Sequence, residues 1–316
     1  MDSGVLNLIK PPGMTSHDVV DLVRRVTGMK RVGHTGTLDP GAAGVLPVCI
    51  GKATRLAEYI SSGSKSYRAE VAFGVSTSTQ DASGSVVATK DASALSADEV
   101  TVVLVRFCGE IEQRVPALSA RKTGGVRFYD IARAGGTPEE RRTKVTIYRI
   151  EMRSFKGGRI ARAILDVECS AGTYIRTLCA DLGDALGYYG HMSFLVRTRV
   201  GGFRLDDAMT LGQMAEAVQR GRMSEIMVSM SDALSFIPGV VLTPRAVEGV
   251  ARGRAPRCRE CLRVVPGCPA DELNRPVRYD DRGLGLRRLL TEDGELVGVA
   301  EMSRDGQGYI LRKVLL

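Results

Sequence analysis

The sequence predicts a protein that mixes helices and strands along most of its length and closes in a small β-rich module, and three observations carry that prediction. Two segments open with capping boxes, Thr15-Ser16-His17-Asp18 and Ser96 followed by Glu99, and each leads into apolar residues at helical spacing. Between them Ser66–Gly74 alternates cleanly, with Tyr67, Ala69, Val71 and Phe73 on one face and Arg68 and Glu70 on the other, as a half-buried strand does. Beyond the Pro-bounded junction Phe236-Ile237-Pro238-Gly239 the chain breaks into short strands and turns.

Taken in order, the first helix shows Val19, Leu22, Val23 and Val26 on one stripe and stops at Gly28. Ser76–Gly84 is a turn region rich in Ser, Thr, Asp and Gly, and the second capping box feeds Val100, Val103, Leu104 and Phe107. Lys122-Thr123-Gly124-Gly125 and Arg133-Ala134-Gly135-Gly136-Thr137-Pro138 carry breakers that predict an exposed insertion rather than core. Strands follow at Lys144–Arg153 and Ile160–Cys169, joined as a hairpin through Lys156-Gly157-Gly158. Tyr174–Leu186 reads as a helix, with Ile175, Leu178, Leu182 and Leu186 on one stripe and Gly187 as its stop, and a short helix is expected near Leu211–Arg220.

At 316 residues, with 44% hydrophobic and 25% charged content, the chain suits two globular domains and excludes disorder or a collagen-like repeat. No apolar run approaches the ~18 residues of a membrane span, and Met1-Asp2-Ser3-Gly4-Val5 shows no secretory pattern. Seven scattered cysteines, an odd number, suit a reducing cytoplasm. The net charge of +8 is localised, because Arg121 to Arg162 holds 12 basic residues against four acidic ones. Such a stretch is either a solvated surface or the footprint of a polyanion, nucleic acid being the usual one.

The densest special segment is Gly33-His34-Thr35-Gly36-Thr37-Leu38-Asp39-Pro40-Gly41. It is no P-loop, since the nearby Gly51-Lys52 is followed by Ala53 and Leu46 stands where the first glycine belongs. Asp39-Pro40 is either a helix start, Asp as cap and Pro at the first position, or a nucleophile on a stiffened loop. Cys258, Cys261 and Cys268 bring three sulfurs, but zinc wants four ligands and no Cys or His follows Cys268, so ordinary thiols and no metal are expected.

The loop from Gly33 to Pro40 resembles the catalytic loop of the pseudouridine synthases that act on uridine 55 of tRNA, the TruB family. Four further segments carry the same resemblance in order: Lys10-Pro11-Pro12-Gly13-Met14-Thr15-Ser16, Lys65-Ser66-Tyr67-Arg68 with the turn after it, Ala171-Gly172-Thr173-Tyr174-Ile175-Arg176, and His191 through Leu195 with Arg197. The resemblance implies an α+β catalytic domain on a large mixed, mostly antiparallel sheet flanked by helices over residues 1–237. It also implies an RNA-binding thumb insertion at about 115–145 and a PUA-like RNA-binding module over 238–316. Gln113-Arg114-Val115-Pro116-Ala117-Leu118-Ser119-Ala120-Arg121-Lys122 is similar to the opening of that thumb, with Val115 in place of a proline and Leu118 in place of an aromatic residue.

Exchanging a C1′–N1 glycosidic bond for C1′–C5 needs a nucleophile that adds and then leaves, which a carboxylate does without a cofactor. The resemblance makes Asp39 that nucleophile and Arg176 its ion-pair partner, a guanidinium that orients the carboxylate and favours its charged form. Tyr67 becomes the residue stacking on a flipped base and a candidate acceptor for the C5 proton, although its strand face equally suits the core. Leu195 would wall the base pocket, His34 would occupy the space left by the flipped base, and Gly36, Thr37 and Tyr174 would line the substrate site. Lys122, Arg127, Arg133, Arg141, Arg142 and Lys144 would meet RNA backbone. The expectation is a cytoplasmic, monomeric, cofactor-free enzyme whose partner is the T-arm stem-loop of tRNA. A non-catalytic RNA scaffold and the catalytic subunit of a guide-RNA complex are its rivals; the Asp39, Tyr67 and Arg176 set argues against the first and the thumb against the second.

Overall fold

In the computed structural model, which describes residues 3–116, 122–123, 126–127, 141–267 and 285–316, strand β1 (Gly4–Lys10) pairs antiparallel with β3 (Ala43–Ile50). Both are apolar on successive residues because both of their faces are covered. Val5, Val45 and Cys49 enter one hydrophobic cluster, while Leu6, Leu8, Leu46, Val48 and Ile50 enter another. Such runs show no alternation, which is why the sequence expectation passed over these two strands. Helix α1 (Ser16–Thr27) starts on the expected capping box of Thr15 and Asp18, ends at a left-handed Gly28, and leads into β2 (Val32–His34), which lies along β3.

A 3₁₀ turn and the short α2 (Ala57–Ser61) bring the chain to β4 (Lys65–Phe73), where the predicted alternation is realised. The turn after β4 is closed by a small hairpin, β5 (Val75–Thr77) with β6 (Val86–Thr89). Helix α3 (Ala97–Val105) follows its capping box at Ser96, and β7 (Gly109–Arg114) ends at the base of the expected insertion. Most of residues 117–140 lies outside the described residues, apart from the short hairpin of β8 (Lys122–Thr123) and β9 (Val126–Arg127). The chain re-enters as β10 (Arg142–Lys156), paired to β7 from Arg142 opposite Arg114 to Ile147 opposite Gly109, so both ends of the insertion leave the sheet side by side. The hairpin to β11 (Ala161–Cys169) and helix α4 (Ile175–Leu186) stand where the sequence placed them.

Strand β12 (Gly190–Val200) completes the centre of a nine-stranded sheet ordered β1-β3-β12-β4-β11-β10-β7, with β2 on β3 and β13 (Phe203–Arg204) on β12. Only the β12–β3 pairing is parallel, which makes the sheet mixed and mostly antiparallel, as expected for this α+β class. Helices α3 and α4 cover one face through Val100, Val103, Leu104, Ile175, Leu178 and Leu182, which pack on Ala69, Val71, Leu165 and Leu195. The opposite face stays open and is laced with cross-strand charge pairs, among them Arg68–Asp166 at 2.7 Å, Arg153–Asp166 at 2.6 Å and Arg162–Glu70 at 2.5 Å. A bulge between Arg197 and Arg199 sets Arg197 opposite Tyr67 and Arg199 opposite Ser66, neighbours in β4 that point to opposite sides. Two arginines two residues apart therefore serve different faces.

Helices α5 (Leu211–Gln219), α6 (Met223–Ile226) and α7 (Met230–Ala233) lead to Pro238. Beyond it β14 (Gly239–Leu242), β15 (Cys261–Val265), β16 (Leu286–Leu290), β17 (Leu296–Met302) and β18 (Tyr309–Val314) form a five-stranded sheet ordered β15-β14-β16-β17-β18. Helix α8 (Pro244–Ala251) packs on it, and the sequence reading did not single it out although Thr243 as cap and Pro244 at the first position are a start signal. This sheet does not hang free. Val241, Leu290, Leu296, Val299 and Leu315 share one hydrophobic cluster with Val5, Val45, Cys49 and Val200 of the large sheet. Arg288 adds a polar tie, donating from Nε to the Ile237 carbonyl at 2.7 Å and from Nη1 to the Ser231 carbonyl at 2.9 Å. Among the described residues no helix is long and apolar enough to cross a membrane.

Candidate active site

Between β2 and β3 the chain makes no helix, so Asp39 caps none. The Ala42 amide donates to the Asp39 carbonyl at 3.0 Å, closing a turn over Pro40-Gly41 that leaves the carboxylate 39% exposed. Three neighbours hold this loop by its backbone. Ser16 at the start of α1 accepts from the Leu38 amide at 2.8 Å and donates to the Leu38 carbonyl at 3.2 Å. Lys10, fully buried at the end of β1, donates to the carbonyls of Met14 at 2.7 Å, Pro11 at 2.9 Å and Pro40 at 3.3 Å. Burial lowers its ammonium to about 8, with the Asp39 charge pulling the other way. Arg197 on β12 donates to the carbonyls of Val45, Gly36 and Thr37.

Arg176 enters from the second position of α4, its side chain only 8% exposed, and sets Nη2 at 3.8 Å from an Asp39 carboxylate oxygen. The start of that helix is pinned by Gln113, which accepts from the Tyr174 amide at 3.0 Å and donates to its carbonyl at 3.2 Å. Nη1 of Arg176 lies 3.8 Å from Asp81, so one guanidinium stands between two carboxylates. Asp81 is itself anchored, accepting from the Thr79 hydroxyl at 2.6 Å and from the Ser83 amide at 2.9 Å. Burial pushes its carboxyl up, but the bonds from Ser83 and Thr79 and the Arg176 charge outweigh it and hold it below the usual aspartate value. Sequence reasoning missed Asp81. Its signal was present, a carboxylate in the Ser/Thr/Gly turn directly after the Tyr-bearing strand.

Tyr67 and Leu195 lie buried in the same hydrophobic cluster as Leu38, the residue before Asp39. Burial pushes the Tyr67 hydroxyl up to about 12, and the charge of the Arg197 guanidinium pulls in the opposite direction. Tyr67 is therefore a neutral phenol near pH 7. His34 closes β2 and accepts the Gly36 amide on Nδ1 at 3.2 Å; burial, then Arg197 and His17, lower its pKa, so it is a neutral ring with its proton on Nε2. Asp39, Arg176, Tyr67, Leu195, His34, Gly36 and Thr37 thus converge on one loop and its walls. Tyr174 caps α4 beside them and contributes its backbone to Gln113.

The expected RNA-backbone residues are not brought together in the same way. Arg133 lies outside the described residues, and Lys122 and Arg127 sit in β8 and β9. Arg142 and Lys144 are on β10 and pair with Glu112 at 3.3 Å and Glu110 at 2.9 Å, while Arg141 is exposed just before the strand. Arg153, Arg159 and Arg162 also meet carboxylates from outside the segment, Asp166, Asp91 and Glu70, so the positive excess counted along the sequence is partly balanced in space. Cys258 and Cys261 bond to the carbonyls of Gly306 and Arg257, and Cys268 lies outside the described residues.

Comparison with known proteins gives the family. Residues 24–175 match the TruB family pseudouridylate synthase (N terminal domain), and residues 176–235 match the tRNA pseudouridylate synthase B C-terminal domain. A tRNA pseudouridine synthase B of Symbiobacterium thermophilum is 52% identical over 81% of this chain and 84% of its own length. One of Moorella thermoacetica is 40% identical over 99% of this chain and 98% of its own. Among solved structures, the chain resembles one from an H/ACA RNP bound to a substrate RNA containing 2′-deoxyuridine, with TM-score 0.74 and 27% identity over 99% of this chain and 85% of that one. A chain of a Cbf5-Nop10-Gar1 complex gives TM-score 0.75 and 28% identity, over 100% of this chain and 85% of that one.

Proposed function

The chain belongs to the TruB family of pseudouridylate synthases, and from that premise we propose that it converts uridine to pseudouridine in tRNA, at position 55 of the T loop, with Asp39 as the nucleophile. The observation that carries the second half is the Arg176 guanidinium set 3.8 Å from the Asp39 carboxylate on a loop pinned by its own backbone. A carboxylate fixed in place is what addition to a uracil ring or to C1′ of its ribose requires. Arg176 balances that charge before addition and steadies it as the carboxylate leaves.

The target base is stacked inside a folded RNA loop and must be extruded to reach Asp39. Tyr67 offers its ring as the stacking surface and Leu195 the apolar wall opposite; His34 donates from Nε2 into the space the base leaves. For the Tyr67 hydroxyl to take the C5 proton it must first give up its own, and the burial that holds it to about 12 opposes that step. Arg141, Arg142 and Lys144 at the root of the insertion, with Lys122, Arg127 and Arg133 beyond them, are the proposed contacts to RNA phosphates. The division into a catalytic part to residue 237 and an RNA-binding part from 238 follows the Pro238 junction and the second sheet. A cytoplasmic monomer without cofactor completes the proposal.

The guide-RNA subunit remains the rival with an observation behind it, since H/ACA particle structures share the fold. The relatives named for tRNA are nearer in sequence, at 40–52% identity against 27–28%. Purified protein incubated with a bare T-arm stem-loop RNA separates the two. Pseudouridine forms with the wild type and not with Asp39→Asn. No product from wild type would remove the stand-alone enzyme, and full activity in Asp39→Asn would remove the assigned nucleophile.

A further inference from the structure

Arg197 is a guanidinium that the family resemblance placed without giving it a task. It lies on the covered face of β12, 1% exposed, and no described carboxylate stands within ion-pair distance of it. Burying an arginine without a counter-charge is costly, and an aliphatic side chain would fill the same space more cheaply, so packing alone does not account for it. Its donors account for it. Nε reaches the Val45 carbonyl at 2.8 Å, Nη2 the Gly36 carbonyl at 3.1 Å and Nη1 the Thr37 carbonyl at 3.3 Å, and the residue stands opposite Tyr67 in the pairing of β12 with β4. Gly36 and Thr37 lie before Asp39 and Val45 after it, so one planar fork gathers both ends of the loop. The main chain joins in, because Gly44 at φ +111 lies so near that a Cβ there would come 2.2 Å from the Arg197 carbonyl oxygen.

We propose that Arg197 is a positioning residue, whose fork ties both ends of the Asp39 loop to β12, opposite Tyr67 on β4, and thereby sets the carboxylate against Arg176 and the stacking ring. It touches no substrate; it acts through Asp39 and Tyr67. Lysine keeps the charge but not the planar fork, so it can meet only part of this bond set. The inference rests on Asp39 being the nucleophile.

The test uses the full-length protein and a T-arm stem-loop RNA tritiated at uridine C5, whose label is released on isomerisation. Turnover, RNA affinity and thermal unfolding are measured for wild type, Arg197→Met, Arg197→Lys and Asp39→Asn. We expect kcat to fall about a hundredfold in Arg197→Met, RNA affinity to stay within about threefold, and Arg197→Lys to recover about tenfold of the loss. A kcat within about threefold of wild type in Arg197→Met overturns the inference. So does a parallel collapse of RNA affinity and unfolding temperature in both Arg197 variants, which would make the residue one of folding alone. Activity in Asp39→Asn strikes the nucleophile instead, whereas an inactive Asp39→Asn beside a fully active Arg197→Met strikes only the positioning role.

Discussion

On the open face of the nine-stranded sheet Arg68, Arg153 and Arg162 each meet a carboxylate from a neighbouring strand, whereas on the covered face Arg197 meets carbonyl oxygens. The sheet is the same, and so is the residue type; the surroundings differ. In water an arginine–carboxylate pair gains little, because solvent screens the attraction and both side chains lose freedom. At 1% exposure Arg197 has little access to water, and a guanidinium can be kept there only where fixed acceptors already surround it. The difference separates charges that keep a sheet face wet from a charge that holds a backbone in place.

The largest effect that would break this contrast is a core truncation beneath the covered face. Leu165→Ala removes a side chain at 1% exposure that packs under the helices and should cost about 2–5 kcal/mol in urea unfolding. A cost below that range would mean the covered face is loosely packed.

A smaller effect follows from pH. Burial holds Lys10 and Lys65 down to about 8, and unfolding returns both to the ordinary 10.5. From about pH 8 upward the unfolded chain therefore binds the extra protons, and stability rises, by roughly 1 kcal/mol per lysine between pH 8 and 9. The buried thiols run against this: Cys49 is pushed up to about 12, Cys169 to about 11 and Cys179 further still, so each of the three ionises near the ordinary 9.0 only when unfolded, and above that their loss outweighs the lysines' gain. Urea midpoints at pH 8, 9 and 10 should show a maximum near 9; a profile falling from 8 to 9 contradicts the buried ammonium groups.

The smallest effect belongs to the open face. Replacing Arg142 and Lys144 together by glutamine should leave the unfolding midpoint unmoved, since their partners Glu112 and Glu110 are exposed. It should also lower the slope of log binding constant against log salt for tRNA by about one for each phosphate no longer neutralised. An unchanged slope removes both residues from the RNA footprint.

How much of this was legible in the sequence depends on where each cause lies. Thr15 with Asp18 and Ser96 with Glu99 announce their helices because a cap is a local bond between residues three apart. The period-two pattern of β4 was readable because one of its faces is wet. Strands β1 and β3, covered on both sides, were not. Asp39 and Arg176 are 137 positions apart, and only the family resemblance joined them; no pattern of spacing or hydropathy could. Arg197 was present in the motif, but its partners are main-chain carbonyls, which every residue owns and no sequence marks. The excess charge of the basic segment was counted correctly along the chain, yet Glu70, Asp91, Glu110, Glu112 and Asp166 come to it from elsewhere, a cancellation that exists only after folding.

The cluster shared between the two sheets has a consequence for how an RNA is measured. Val45 lies near the start of β3, the strand that leaves the Asp39 loop, and it is packed in the same cluster as Val241, Leu290 and Val299 of the second sheet. The span from the loop to that sheet is therefore set by close-packed side chains rather than by a linker. An RNA that touched both would be read by a caliper with fixed jaws: a stem of the right length would place its base at Asp39, and one of another length would have to bend itself, since the protein has no joint there to give.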